Sequence, residues 1–147
     1  MLTIRPPKST DRDAWDALYQ GYARFYQVEQ TPAMRERVWG WINDAGHECQ
    51  CLLAFDAQGK AVGLAHFRPF ARPLSASTGG YLDDLFVDPE SRGAHVGSQL
   101  IDAIKAIGAS RQWSVIRWIT ADNNYRARTA YDQIATRTGW ITYDLKL

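Results

Sequence analysis

The chain has 147 residues, 46% hydrophobic and 22% charged, which fits a single globular domain over 1–147 and excludes intrinsic disorder. Lys plus Arg number 17 against 16 Asp plus Glu, a net charge of +1, so no broad basic field gathers nucleic acid or an anionic membrane. Any polyanion must be held by a local site. Cys49 and Cys51 sit too close in one apolar run to close a useful disulfide loop, which points to a reducing, cytoplasmic setting. Charged residues scattered through the first thirty positions, among them Arg5, Lys8, Asp11 and Asp16, predict neither a signal peptide nor a transmembrane helix.

Leu2 to Arg5 reads as a short strand closed by Pro6 and Pro7, and Thr10 with Asp13 has the spacing of a helix capping box. In the helix that follows, Trp15, Leu18, Tyr19, Tyr22, Phe25 and Tyr26 recur at steps of three and four, so they share one face. A second helix starts from Thr31 as N-cap with Pro32 in the first turn, buries Met34, Val38, Trp41 and Ile42, and ends at Gly46. Glu48 to Phe55 and Ala61 to Phe67 are apolar runs joined by a loop with hairpin chemistry, Asp56 to Lys60. A Pro, Ser and Gly rich loop from Arg68 to Gly80 leads to a strand at Tyr81 to Val87, stopped by Asp88-Pro89-Glu90. The next helix turns Val96, Leu100, Ile101, Ile104 and Ile107 inward. Ser114 to Thr120 is then a strand, Tyr125 to Thr138 a helix and Trp140 to Leu147 a last strand. The order predicts one α+β domain of α/β/α layers with a mixed sheet.

Chemistry concentrates between Tyr81 and Ser98, where a strand feeds a Gly-containing loop that opens onto a helix start. Free backbone N–H groups and the positive end of the helix dipole converge at such a place and suit a pyrophosphate, with Arg92 adding a fixed charge. Neither a Walker Gly-Lys-[Ser/Thr] nor a dinucleotide Gly-x-Gly-x-x-Gly is present. On strand-loop-helix geometry alone, an anion site and a capped helix after an ordinary turn fit equally.

Beyond geometry, these residues resemble the Gcn5-related N-acetyltransferases, whose cofactor loop follows [Gln/Arg]-x-x-Gly-x-[Gly/Ala]. Arg92, Gly97 and the Val-Asp-Pro-Glu lead-in at 87 to 90 match, while His95 stands where the family usually has Gly. Asn124, Ala127 and Tyr131 reproduce the family's Asn-x-x-Ala-x-x-x-Tyr helix, and the element order matches along essentially the whole chain. Tyr-Leu-Asp-Asp-Leu-Phe-Val at 81 to 87 is similar to the fourth strand of the diamine and polyamine branch and of small amino-acid or histone-type relatives.

The resemblance implies a twisted, mostly antiparallel sheet of six to seven strands with about four helices, splayed between its fourth and fifth strands. It implies acetyl-CoA as cosubstrate, with main-chain groups of Leu85, Phe86 and Val87 pairing the pantetheine arm and amides from Gly93, Ala94, His95, Val96, Gly97 and Ser98 holding the pyrophosphate. Arg92, Asn124 and Ala127 complete that set, and Tyr131 is the family-matched donor to the departing thiolate. The acceptor is expected to be a primary amine of a small molecule such as a polyamine, diamine or amino acid. A peptide amine, or a non-catalytic CoA-binding regulatory module, is the alternative.

An alkylamine of pKa about 10.4 costs about 4.6 kcal/mol to neutralise at pH 7, so a base or proton wire must help. Asp83 and Asp84 are the candidates, and strand alternation sends them to opposite faces. A carboxylate that binds the ammonium raises the amine pKa, so recognition and activation oppose each other unless water relays the proton to a second group. A phenol of pKa about 10 facing a thiol of about 8.5 is uphill by about 2 kcal/mol, so Tyr131 needs a lowered pKa or acts as a hydrogen-bond donor. Tyr22 and Tyr26 offer rings to cradle an ammonium, with Asp84 and Glu29 as counter-charges. His47, Cys49 and Cys51 alternate on one strand face but lack a fourth ligand, so no metal is expected. Trp140 and Tyr143 on the final strand offer a seam for a homodimer.

Overall fold

The computed structural model describes residues 1–147. Extended segments early in the chain form a meander: β1 (Thr3–Arg5), β2 (Gln50–Phe55), β3 (Ala61–Arg72) and β4 (Ser77–Val87) pair antiparallel in that order. β5 (Ile116–Arg117) then joins β4 in parallel. Helices α1 (Arg12–Phe25) and α2 (Pro32–Ile42) cover one face and α3 (Val96–Ser110) the other, with α4 (Tyr125–Asp132) beyond β5.

Two apolar clusters follow from strand alternation. On the α3 face, Leu52, Ala54, Val62, Ala65, Phe67 and Leu82 meet Val96, Leu100, Ile101 and Ile104. On the α1 face, Cys51, Leu53, Phe55, Leu64 and Phe86 meet Trp15 and Leu18. Period-two strands set between period-3.6 helices bury both sheet faces, which makes the three-layer sandwich.

Several boundaries differ from expectation. The start of α1 is held by Asp11, whose carboxylate accepts from the Lys8 N–H at 2.6 Å and pairs with Arg5 at 2.7 Å, so Thr10 and Asp13 do not form a capping box. In α2 the Thr31 cap forms as expected, its Oγ1 accepting from the Met34 N–H at 3.2 Å. The helix packs through Val38, Trp39 and Ile42, leaving Met34 and Trp41 exposed. Arg35 instead faces inward and donates to Asp16 at 2.7 Å, which ties α2 to α1.

The expected Arg68–Gly80 loop is largely a hairpin: β3 runs on to Arg72, a 3₁₀ turn covers Pro73–Ser75, and β4 returns from Ser77. Gly79 and Gly80, read from sequence as loop signals, are strand residues because rings occupy the space their side chains would fill. A Cβ on Gly79 would lie 2.7 Å from the Phe70 ring, and one on Gly80 2.4 Å from Trp113.

Toward the C-terminus the sheet is smaller than expected, with five strands instead of six to seven. Of the expected 114–120 strand, Ile116–Arg117 forms β5 and Ser114 and Val115 hold to β4 by one main-chain hydrogen bond each, while α4 ends at Asp132 and residues 140–147 form no strand. Apolar alternation makes a segment fit for a sheet, but a strand exists only where another backbone takes its hydrogen bonds.

The Gly80 contact is with a rigid, packed indole, so Gly80→Ala is expected to lower unfolding stability by about 1–3 kcal/mol. Gly40 lies on the exposed side of α2, where a Cβ would meet nothing within 4 Å, and Gly40→Ala should stabilise by about 0.5–1 kcal/mol. Urea unfolding of the two variants beside the parent checks both signs.

Candidate active site

β4 and β5 pair only at Gly80↔Ile116 and Tyr81↔Arg117. Beyond Tyr81 the β4 edge that faces β5 is unpaired, and a cavity of about 280 Å³ opens there. Leu85, Phe86 and Val87 form its floor, Arg92, Gly93 and His95 its loop side, and Val96, Gly97, Ser98 and Ile101 its α3 side. Asn124, Arg126, Ala127, Ala130, Tyr131 and Ile134 form the opposite wall, with Phe25 and Tyr26 at the end of α1. Ala94 belongs to the same loop but is not on the lining.

The loop side is a bank of donors. The first main-chain hydrogen bond into α3 runs from the Gln99 N–H to the His95 carbonyl, so the amides from Gly93 to Ser98 have no main-chain acceptor. Left-handed backbone at Gly93 (φ 95°) and His95 (φ 57°) curls the chain into the helix. His populates that region more readily than most non-Gly residues, so the loop accommodates His95 where the family pattern has Gly. Arg92 extends its guanidinium over the Phe25 ring at 5.1 Å. On the far wall Asn124 caps α4, its Oδ1 accepting from the Ala127 N–H at 3.4 Å. Tyr131 packs edge-on against Trp118 at 5.3 Å between ring centres. Burial, and then the neighbouring Tyr26, raise the Tyr131 phenol above its ordinary value, so it stays protonated and keeps an O–H available to donate.

The two carboxylates lie outside this lining, on the α1 face of β4, and here the alternation argument fails. His66 pairs with Asp84 but Phe67 pairs with Leu82, so Asp83 is an extra residue in β4. Leu82 and Phe67 both belong to the α3-side cluster, while Phe86 belongs to the α1-side cluster. Counting outward from each side of the bulge turns Asp83 and Asp84 to the same face. Their partners agree with that placement. Arg68 donates to Asp83 at 3.0 Å and lies over the Tyr81 ring, and Asp84 accepts from Tyr19 Oη at 2.9 Å and from His66 Nδ1 at 2.8 Å.

The Asp84 pocket is only partly visible in the sequence, where no motif marks His66, Tyr19, Trp15 or Arg68 as site residues. Trp15 Nε1 donates to His66 Nε2 at 2.9 Å, and since an indole N–H only donates, the imidazole proton sits on Nδ1 and points at Asp84. The only sequence signals are a polar residue in an apolar strand and an aromatic pair one helical turn apart. Burial is the largest influence on Asp84 and pushes its carboxyl up, but the hydrogen bonds from His66 and Tyr19 help hold it below its ordinary value. Asp83 is shifted the other way, raised chiefly by burial despite Arg68. The bulge therefore presents one carboxylate held ionised beside another that takes up a proton more readily.

Tyr22 and Tyr26 bridge from this pocket toward the cavity, their rings 4.9 Å apart and Tyr22 edge-on to Phe86 at 6.0 Å. Burial and the Asp84 charge raise the Tyr22 phenol, so it too remains protonated. Glu29 is exposed past the end of α1 and makes no ion pair. Burial, with the charges of Asp83 and Asp84, pushes the Cys49 thiol up to about 11, and burial pushes Cys51 well above its ordinary value, so neither is a ready nucleophile. His47 is turned aside, stacked on Trp41 at 4.8 Å, and no group of three or more His, Cys, Asp or Glu comes together that could hold a metal.

The sequence profile of the acetyltransferase (GNAT) family matches residues 15–135. The D-amino-acid N-acetyltransferase HPA3 of Saccharomyces cerevisiae is 24% identical over 143 residues, covering 97% of this chain and 89% of the relative. The ribosomal-protein-alanine N-acetyltransferase from Brucella melitensis biovar Abortus has the same fold, with a TM-score of 0.82 at 21% identity over 100% of this chain and 99% of that one. The aminoglycoside N-acetyltransferase AAC(6')-Iy, solved in complex with CoA, also gives a TM-score of 0.82, at 19% identity over 99% of this chain and 95% of that one. The profile match runs from the first buried Trp of α1 to just past α4, so the chain belongs to the GNAT family and is a GNAT-type N-acetyltransferase that uses acetyl-CoA.

Proposed function

We propose that this enzyme acetylates the primary amine of a small molecule, a polyamine, a diamine or an amino acid, by direct attack of the amine on the thioester. The observation that carries the reading is the Asp84 carboxylate, hydrogen-bonded by His66 and Tyr19 and next to Tyr22, whose ring lies 4.9 Å from that of Tyr26 on the cavity wall. A buried anion of this kind suits an ammonium group. Arg68 beside Asp83 supplies a counter-charge for the carboxylate of an amino acid, a class to which the substrate named for the yeast relative belongs. Two free cysteines with raised pKa values support a cytoplasmic setting, and the chain is read as a homodimer.

Acetyl-CoA fits the cavity by the chemistry of its lining. The unpartnered amides of Gly93 to Ser98, at the positive end of the α3 dipole, suit its pyrophosphate, and the open edge of Leu85 to Val87 suits the amide-bearing pantetheine arm. Asn124 and Ala127 line the same cavity from the start of α4. The bound thioester supplies the electrophilic carbonyl carbon.

Asp84 is too weak a base to take a proton from an amine directly, so it anchors the ammonium, and the proton leaves through water toward the half-exposed Asp83 and bulk solvent. Tyr22 and Tyr26 line the path with rings that tolerate a cation. The neutral nitrogen lone pair forms the new C–N bond, the C–S bond breaks, and the sulfur leaves with the electron pair. Tyr131 donates a hydrogen bond to that sulfur, the second amine proton ends on the thiol, and an acetamide and CoA are released.

Calorimetry with acetyl-CoA, followed by thiol release over a panel of amines, tests this reading. Release with small amines and none with peptides is expected, and the reverse order would sink the small-molecule acceptor. Tyr131→Phe should lower kcat about tenfold to a hundredfold, the size of one hydrogen bond to a charged group, with acetyl-CoA affinity within about twofold.

Asp84 is held below its ordinary value and so remains ionised above pH 5. The amine alone sets the acid limb: kcat/KM rises about tenfold per pH unit from pH 6 toward the amine pKa. Asp84→Asn should leave that slope unchanged and raise the KM for the amine at least tenfold. Steady-state kinetics across pH 5–10 reads both.

A further inference from the structure

The α1 face of the sheet continues past the carboxylates to an end that lies outside both apolar cores. Leu82 and Ile116 point to the α3 side, so their strand neighbours Tyr81 and Arg117, paired across β4 and β5, face the other side, that of Asp84. Phe70 shares this face, its ring edge-on to Tyr81 at 5.8 Å and lying where a Gly79 side chain would be. Phe70 and Tyr81 belong to neither apolar cluster.

Charge changes sign along this floor. Asp83 and Asp84 stand nearest the cofactor cavity, and arginines follow: the Arg68 guanidinium lies over the Tyr81 ring at 4.8 Å, Arg117 over the Phe70 ring at 5.4 Å, and Arg72 donates to Ser114 Oγ at 2.7 Å. Arg68 gives its Nε to Asp83, while Arg72 and Arg117 enter no ion pair. Arg117 is the sharper case. It is half-buried at the point where β5 parts from β4, its guanidinium held on a ring, with no hydrogen-bond partner in the protein. Five unused donors in a fixed planar fork match a carboxylate.

We propose that Arg117, with Arg68 beside it and the Phe70 and Tyr81 rings beneath, is the subsite for a carboxylate of the acceptor, which makes the acceptor an amine with an acidic group several bonds away. The order along β4 carries this: the open edge that suits pantetheine is at Leu85 to Val87, the ammonium anchor is Asp84, and Arg117 stands beyond it in the Tyr81 row. From Tyr81 to Asp84 is three residues, about 10 Å of strand. Allowing about 3 Å for each charged contact leaves about 4–7 Å between nitrogen and carboxylate, the span of about four or five zigzag bonds of about 1.5 Å. An ω-amino acid has that reach, and so has the side-chain carboxylate of a dicarboxylic amino acid, whose α-carboxylate then falls nearer Arg68. The far ammonium of a diamine or polyamine would instead meet arginines.

The subsite deepens the small-molecule reading above and rests on it, but the two fail differently. Thiol release is compared across 5-aminopentanoate, pentylamine and 1,5-diaminopentane, which share one chain length. The parent's kcat/KM should be at least tenfold higher for 5-aminopentanoate than for pentylamine, and lowest for the diamine. Arg117→Ala should bring the first ratio near one by raising the KM for 5-aminopentanoate, Arg117→Lys should keep part of it, and Arg117→Glu should turn the preference to the diamine. Equal values in the parent, an advantage that survives Arg117→Ala, or a preference for alanine over 5-aminopentanoate each overturns the subsite and leaves the small-molecule acceptor standing. Release from none of these amines sinks that acceptor class, and binding then decides the subsite. Pentanoate added to the protein with acetyl-CoA should shift the ring signals of Phe70 and Tyr81 in NMR spectra of the parent but not of Arg117→Glu; unmoved signals in the parent overturn the proposal.

Discussion

One inserted residue in β4 decides where the two adjacent carboxylates of this protein lie. Without the bulge that sets His66 opposite Asp84 and Phe67 opposite Leu82, period-two alternation would send one of Asp83 and Asp84 into the apolar layer under α3. With it, both carboxylates rise on the α1 face, while the strand on either side keeps its apolar residues in register with the two cores. The buried imidazole on the neighbouring strand makes the arrangement stable. Trp15 fixes the tautomer of His66, His66 directs its remaining proton at Asp84, and Tyr19 supplies another donor to the same oxygen. A buried carboxylate left without those donors would cost several kcal/mol or take up a proton.

The second constraint is the early parting of β4 from β5. Trp113 fills the space over Gly80, where any side chain would collide with it, and so draws the start of β5 against β4. Past Tyr81 the strands separate, and the polar edge of β4 is left facing a space that α3 and α4 enclose. An unpaired strand edge and a helix start with unused amides are each costly inside a protein. Placed around one cavity, they become a surface for an elongated, amide-bearing and anionic ligand.

In the proposed mechanism the two carboxylates divide a contradiction in the chemistry. Tight electrostatic holding of an ammonium raises its pKa and works against the neutral nucleophile that acyl transfer needs. In the proposed mechanism the well-bonded Asp84 holds the cation, and Asp83, raised by burial and closer to solvent, lies on the proton's way out. Phenols that stay protonated line the remaining path, so hydrogen bonding rather than a full proton relay through tyrosine is what the site provides.

The amphipathic periods of α1 and α3, the cap at Thr31 and the antiparallel β2–β3 pair leading on to β4 were legible in the amino-acid sequence, because each depends on spacing or on a local hydrogen bond, and the Arg92-to-Ser98 loop was legible through its resemblance to a known family. The residues singled out by resemblance around that loop and on α4 also lie along one cavity, with Ala94 just off its surface. What could not be read was set by contacts distant in sequence. The shared face of Asp83 and Asp84 depends on a register shift against β3, and the role of His66 depends on Trp15, fifty-one positions away. Glycines that signalled a loop proved to be strand positions beneath aromatic rings. The last apolar alternation, at 140–147, marks a strand by its own chemistry, but a strand is completed by the backbone beside it, and that partner only tertiary or quaternary structure can supply.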